Sequence, residues 1–186
     1  MKYLIILTIT LISATSAIGQ NSSEKTERQR SKELKKEMKA QEALMQAKLT
    51  QQLVEQHKFV LEASTIRENR GRTTTVNPDL NFIIVDSLHG ILQFATGSDF
   101  GRNGIGGTTD EGNVQNYRYT LNEKNGTYLI DFFLHAPSRS YDVQISAHRN
   151  GKAQATVTNE RLGKISYSGK LVAPSLSRAW KGNTIY

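Results

Sequence analysis

The residues whose types and spacing suggest chemistry fall in two places. Between Thr96 and Asn113 (TGSDFGRNGIGGTTDEGN) six glycines lie within eighteen residues, beside Asp99, Asp110, Glu111 and one base, Arg102. Gly104, Gly106 and Gly107 could offer backbone amides to a phosphate, but no Lys-Ser/Thr pair follows and no strand-loop-helix frame surrounds them. Asp99, Asp110 and Glu111 could supply oxygens to Ca²⁺, yet the alternating oxygen spacing of an EF-hand loop is absent. The remaining reading is a wide connection between two halves of a sheet, flanking a ligand mouth, since long loops in compact domains are often functional. On that reading the candidate ligand-binding residues are Gly101, Arg102, Gly106, Gly107 and Asp110.

The second place is His135 and Asp142, with Ser138 and Ser140 close by. Written as a hydrolytic triad, these would need a nucleophile in reach of a base, an oriented third group and an oxyanion hole. The sequence supplies only the residue types, on a hairpin, and a cross-strand polar pair is the simpler role. No catalytic residue is therefore assigned. His57, His89 and His148 have no metal-ligand spacing, and without a cysteine there is no thiolate site or Cys nucleophile, so neither metal nor cofactor is expected. Tyr117 and Tyr119 around Arg118 read as ordinary strand alternation, with a base-stacking platform as the sharper alternative.

Period-two patterning must position these residues. Tyr128, Ile130, Phe132 and Leu134 alternate with Leu129, Asp131, Phe133 and His135; Tyr141, Val143, Ile145 and Ala147 repeat the pattern, followed by Ala153, Ala155, Val157 and then Ile165, Tyr167, Leu171. Earlier strands are expected at 58–63, 80–86, 90–95 and 114–121. Eight short strands with tight turns read as an all-β antiparallel meander, either a small barrel of lipocalin-like topology or a sandwich. If Ala147 and Ala153 both face inward, the turn must be the three-residue Arg149-Asn150-Gly151 with Gly151 left-handed in a bulge, because a two-residue turn would send one core residue to solvent. Between the preceding strands, Pro137 to Ser140 is expected to leave Ala136 opposite Tyr141, aligning His135 with Asp142.

Upstream, residues 20–57 are rich in Glu, Lys, Gln, Ala and Leu and lack Gly and Pro, predicting a charged helix. Its apolar positions, Leu34, Met38, Met45, Leu49 and Leu53, make a stripe able to dock only in the second half. Residues 1–19 have the form of a secretory signal peptide: Lys2, the apolar run Leu4–Ile12, then Ser13, Ala14, Ser16, Ala17 and Gly19, with cleavage before Gln20 or Ile18. Nine apolar residues are too few for a transmembrane span. Loss of Lys2 turns the formal charge of +7 into +6, from 23 basic and 17 acidic side chains. That charge is spread along the helix and the β domain (58–186), with nine basic and six acidic groups in residues 21–58 and fourteen and eleven in 59–186, and forms no stripe, which argues against nucleic acid as a partner.

The ordered series Lys58-Phe59-Val60-Leu61-Glu62-Ala63, Asn77-Pro78, Gly104-Ile105-Gly106-Gly107-Thr108-Thr109 with Glu111-Gly112, Tyr141-Asp142-Val143, Asn150-Gly151-Lys152-Ala153 and Ile165-Ser166-Tyr167-Ser168-Gly169 resembles the domain of unknown function 4251, a family of secreted and envelope proteins of Bacteroidota. The closing Arg178-Ala179-Trp180-Lys181-Gly182-Asn183 is similar to family endings, which implies that the only Trp docks against the domain. The resemblance implies a small antiparallel β architecture and carries over no catalytic residue. Some members carry a lipoprotein cysteine after the signal; its absence here implies an exported protein, periplasmic or extracellular, that is not lipid-anchored. The function expected is a non-catalytic binding or interaction module for a small apolar ligand, a glycan or an envelope protein, with an exported hydrolase or a helix-mediated envelope scaffold as alternatives.

Overall fold

Alternation of apolar and polar side chains produces the predicted meander, and the ends of the meander meet. The computed structural model describes residues 17–68, 71–95, 106–160 and 163–181, in two units, 1–42 and 43–186, each described by itself. The helix α1 runs Ala17–Glu55, and in the first unit its side chains from Glu27 onward are all exposed, Leu34 and Met38 included. Among the described residues no helix is long and apolar enough to cross a membrane.

In the second unit follow β1 (Lys58–Arg67), β2 (Thr73–Thr75), β3 (Phe82–Asp86), β4 (His89–Ala95), β5 (Gly107–Asn122), β6 (Thr127–Ala136), β7 (Arg139–His148), β8 (Lys152–Asn159), β9 (Gly163–Val172) and the 3₁₀ turn Pro174–Leu176. Strands β1 and β3 to β9 pair antiparallel in chain order, and β9 pairs with β1, closing an eight-stranded barrel of the lipocalin-like kind. The short β2, absent from the sequence-based reading, is an extra strand against Thr65, Ile66 and Arg67 of β1. The predicted alternation is the observed facing: Tyr128, Ile130, Phe132, Leu134, Tyr141, Val143, Ile145, Ala147, Ala153, Ala155, Val157, Ile165, Tyr167 and Leu171 are all buried in one core with Phe59, Leu61, Ile83 and Leu92. These inward side chains meet in one cluster that draws on all eight barrel strands.

The last turns of α1 complete one end of this core. Leu53 and Val54 belong to it, the Tyr117 hydroxyl donates to the Val54 carbonyl at 2.9 Å, and the Thr50 hydroxyl lies 3.3 Å from the Arg149 carbonyl. His57, at φ 52, turns the chain from helix into β1, a left-handed position more often filled by Gly or Asn. The other, distal end carries the ends of β1, β4 and β8, the starts of β5 and β9, and the β6–β7 turn.

Both turn expectations can be compared with the register. Ala147 stands opposite Ala153 with Gly151 at φ 81, as the facing argument requires. The β6–β7 hairpin differs: Ala136 pairs with Arg139, Leu134 with Tyr141 and His135 with Ser140, so Asp142 stands opposite Phe133 and not His135. The chain reverses through Pro137-Ser138 alone, because the fixed φ of proline suits the second position of a tight turn. Both registers keep every side chain on its own face, so alternation could not separate them. The stretch from Gly107 is also corrected, from loop to strand: β5 begins there and pairs with β4 over His89–Ala95.

The closing seam makes a checkable demand. Gly169 of β9 lies opposite Ala63, and a Cβ on it would sit 1.8 Å from the Glu62 carbonyl oxygen. Gly169→Ala is expected to lower unfolding free energy by about 2–3 kcal/mol through strand displacement. Urea denaturation followed by circular dichroism reads this, and an unchanged midpoint would contradict so tight a seam.

Candidate functional site

The candidate site is built from strands that are not neighbours. Asp110 of β5 pairs with Leu92 of β4, a core residue, and this register turns its side chain inward. Arg139 and Tyr141, two apart on β7, share the inward face. Inside the barrel the Tyr141 hydroxyl donates to Asp110 Oδ2 at 2.5 Å, and Arg139 Nη1 lies 3.5 Å from both that oxygen and the Tyr141 hydroxyl. The Asp110 carboxylate is fully buried, whereas Arg139 reaches in from the β6–β7 turn with its side chain 12% exposed. Among the described residues Asp110 Oδ1 has no hydrogen-bond partner, nor does the hydroxyl of Tyr167, a fully buried residue of β9.

Burial pushes the Tyr141 hydroxyl well above the ordinary tyrosine range, and its bond to Asp110 pushes the same way because a phenolate would face a carboxylate. Tyr167 is raised further by complete burial, then by the proximity of Tyr141 and Asp110. The cluster thus holds one buried acid, one loosely placed guanidinium and two neutral phenols. An unused acceptor on Asp110 and an unused hydroxyl on Tyr167 can receive a polar group. Nothing there combines a nucleophile with a base and an oxyanion hole.

The residues singled out from the sequence have different fates. Gly101 and Arg102 lie outside the described residues. Gly106, at φ 80, leads into β5, and Gly107 opens that strand opposite Ala95. Asp110 alone enters the cluster, while Arg139, Tyr141 and Tyr167 were missed because reading 96–113 as a loop gave Asp110 no facing. Glu111, the next residue, faces outward to His89 Nε2 at 2.7 Å and to the Lys181 ammonium, which holds its carboxyl below the usual range with help from His89. Asp110 and Glu111 therefore lie on opposite faces of the strand and cannot share a cation; among the described residues no three metal-ligating side chains come together.

His135 bonds the Ser140 hydroxyl through Nδ1 at 2.8 Å on the exposed outer face, away from Asp142, so the triad geometry is not formed. Tyr117 is bonded to Val54 and its ring lies tilted against that of His57, centroids 3.8 Å apart, a packing role, while Arg118 faces Asp131 at 3.8 Å. Trp180 corrects another expectation. The residue is 57% exposed, and it is its backbone that docks, the amide donating to Asp79 O and the carbonyl accepting from Gln93 Nε2.

The model of the family described as Domain of unknown function (DUF4251) matches residues 22–171. The chain belongs to this family. A crystal structure of a DUF4251 family protein from Bacteroides eggerthii DSM 20697 has the same fold, with a TM-score of 0.60 at 24% identity over 72% of this chain and 91% of that one. No curated protein matches the chain. The matched DUF4251 region begins within α1, so much of the charged helix lies inside the family's span together with the barrel.

The phenols give the site a pH signature. In an unfolded chain tyrosine ionises near pH 10, whereas burial raises Tyr117, Tyr141 and Tyr167 in the fold. Stability from these groups is complete below about pH 10 and is lost as pH climbs beyond it. Phenolate absorbance from the three should appear together with loss of the far-ultraviolet signal, and their ionisation in an intact fold would contradict the burial. Tyr141→Phe, which leaves Asp110 without its shortest donor, is expected to lower stability by about 1–3 kcal/mol at neutral pH in urea unfolding.

Proposed function

We propose that the protein is an exported, non-catalytic binding module that receives a ligand or partner group at the distal end of its barrel. The observation that carries this reading is the Asp110 and Tyr167 pair of unpartnered buried groups, set in an otherwise apolar interior. Each such group lowers stability by about 1–3 kcal/mol relative to a satisfied one, and apolar side chains of similar size would pack the same space. A polar constellation kept at that disadvantage fits recognition better than architecture. Arg139, at the turn and partly exposed, is the side chain through which solvent-side changes reach Asp110.

Export is part of the proposal and rests on the Lys2, Leu4–Ile12 and small-residue series at the amino terminus. The absence of cysteine supports release rather than lipid anchoring, in the periplasm or beyond. The ligand class follows from the cluster: a small molecule or glycan with a hydrogen-bond donor for Asp110 Oδ1, or an envelope protein that presents one.

Expression of the full chain in a Gram-negative host should yield a mature protein whose intact mass begins at Gln20 or Ile18; a retained Met1 in the soluble product would remove the export reading. Native mass spectrometry of that protein should find a non-covalent adduct that Asp110→Asn releases while circular dichroism stays unchanged. A bare mass for the wild type, or an adduct indifferent to Asp110→Asn, would sink the site assignment. The second reading, a scaffold working through α1, draws on the exposed Leu34, Met38, Leu44 and Met45. It expects an oligomer that dissociates when residues 20–42 are deleted, and a monomeric mature chain in sedimentation would end it.

A further inference from the structure

The outer face of the barrel carries a second, independent feature over β7, β8, β9 and the bulge in β1. Lys152 of β8 and Lys170 of β9 are directly opposed across the ladder, both exposed and both on the outward face. Directly opposed like charges on one sheet face are destabilising, and such pairs are ordinarily relieved by a neighbouring carboxylate. Here Glu62 stands opposite Lys170 on β1, but its Oε1 accepts from the Ser177 hydroxyl at 2.6 Å and from the Arg178 amide at 3.1 Å of the C-terminal tail. Among the described residues neither lysine is in an ion pair.

The two lysines border an open hollow of about 440 Å³ whose lining contains no acidic residue. His148 lines it too, with Nδ1 engaged by the Thr127 hydroxyl at 2.8 Å. The next row of the sheet runs Ser146, Gln154 and Ser168 in register, all in the lining. Ser64 joins them because β1 bulges between Ala63 and Thr65, and its hydroxyl donates to the Ser168 carbonyl at 3.2 Å. Cations at one end and a row of hydroxyl and amide groups at the other form an ordered pair of chemistries: a site for a dianionic or monoanionic oxygen cluster, continued by a surface that hydrogen-bonds alcohols.

We infer that this hollow binds a sugar bearing a phosphate or sulfate monoester, the oxyanion between Lys152 and Lys170 and the sugar hydroxyls along Ser146, Gln154 and Ser168. Charge complementarity carries the assignment, since an oxyanion turns the repulsive lysine pair into two charge-assisted contacts. The absence of an aromatic platform in the lining argues against a neutral sugar, which would need stacking for affinity. Because the contacts are solvent-exposed, binding falls with ionic strength.

The test is an amide-correlation NMR titration of the mature protein with glucose 6-phosphate. Saturable shifts are expected at Lys152, Gln154, Ser168 and Lys170, weakened by high salt. Lys152→Glu converts the like pair to an opposite pair, preserves the fold, and is expected to weaken binding at least about tenfold, whereas Lys164→Glu on the same face leaves it unchanged. Shifts spread over lysines elsewhere, equal binding of plain glucose, or unaltered affinity in Lys152→Glu would each overturn the proposal. So would capture by phosphatidic-acid vesicles without glucose 6-phosphate binding, since that outcome assigns the lysines to a lipid surface.

Discussion

The seam between β9 and β1 runs from Val60 opposite Val172 to Arg67 opposite Ser166, with a single bulge at Ser64. A meander without it would leave two unpaired edges and a half-solvated apolar face. With it, inward side chains from eight strands meet in one buried core. The approach is close enough that Gly169 admits no Cβ. The bulge in β1 also brings Ser64 beside Ser168, whose carbonyl accepts from its hydroxyl, and so adds Ser64 to the outer polar row.

Closure also explains how Asp110 comes to be buried among apolar residues. On an open sheet, an acid at an inward position near a strand end would be hydrated. In the barrel it faces β7 across the interior and depends on Tyr141 and Arg139 for its hydrogen bonds. Two short-range consequences follow. The carboxylate has one oxygen well served and one unserved, and the neighbouring Tyr167 hydroxyl is equally unserved. Breaking such a network by removing one member costs more than its presence contributes, so the cluster is sensitive to single changes even though it does not stabilise the fold.

The segments outside the barrel are held by polar bonds as much as by apolar contact. The C-terminal tail is bonded to β1 through Glu62, to the segment before β3 through Asp79 and to β4 through Gln93, and Gln93 and Thr109 are buried on the outward side of their strands. The end of α1 does the corresponding work at the other extremity with Thr50, Leu53 and Val54. Both attachments use backbone carbonyls and amides, which is why composition gave so little sign of them: a backbone donor looks the same in every sequence.

Facing was legible from the amino-acid sequence by itself, because apolar residues at every second position can be buried only on one side of a strand. That argument established the eight strands, their inward residues and the three-residue turn ending at Gly151. It could not distinguish registers of the same parity, so His135 was aligned with Asp142 although Ser140 is its partner. Nor could it choose between barrel and sandwich, since both bury the same face. The glycine-dense stretch was misread from Gly107 onward because Gly and Asp are poor strand formers locally, while pairing with β4 outweighs that weakness. Asp110, the Arg139 and Tyr141 pair, and Tyr167 lie on three strands distant in the chain, and only closure of the sheet decided that they meet. The tertiary structure decided the site because its members are joined by a distance across the barrel, a quantity that no spacing along the chain encodes.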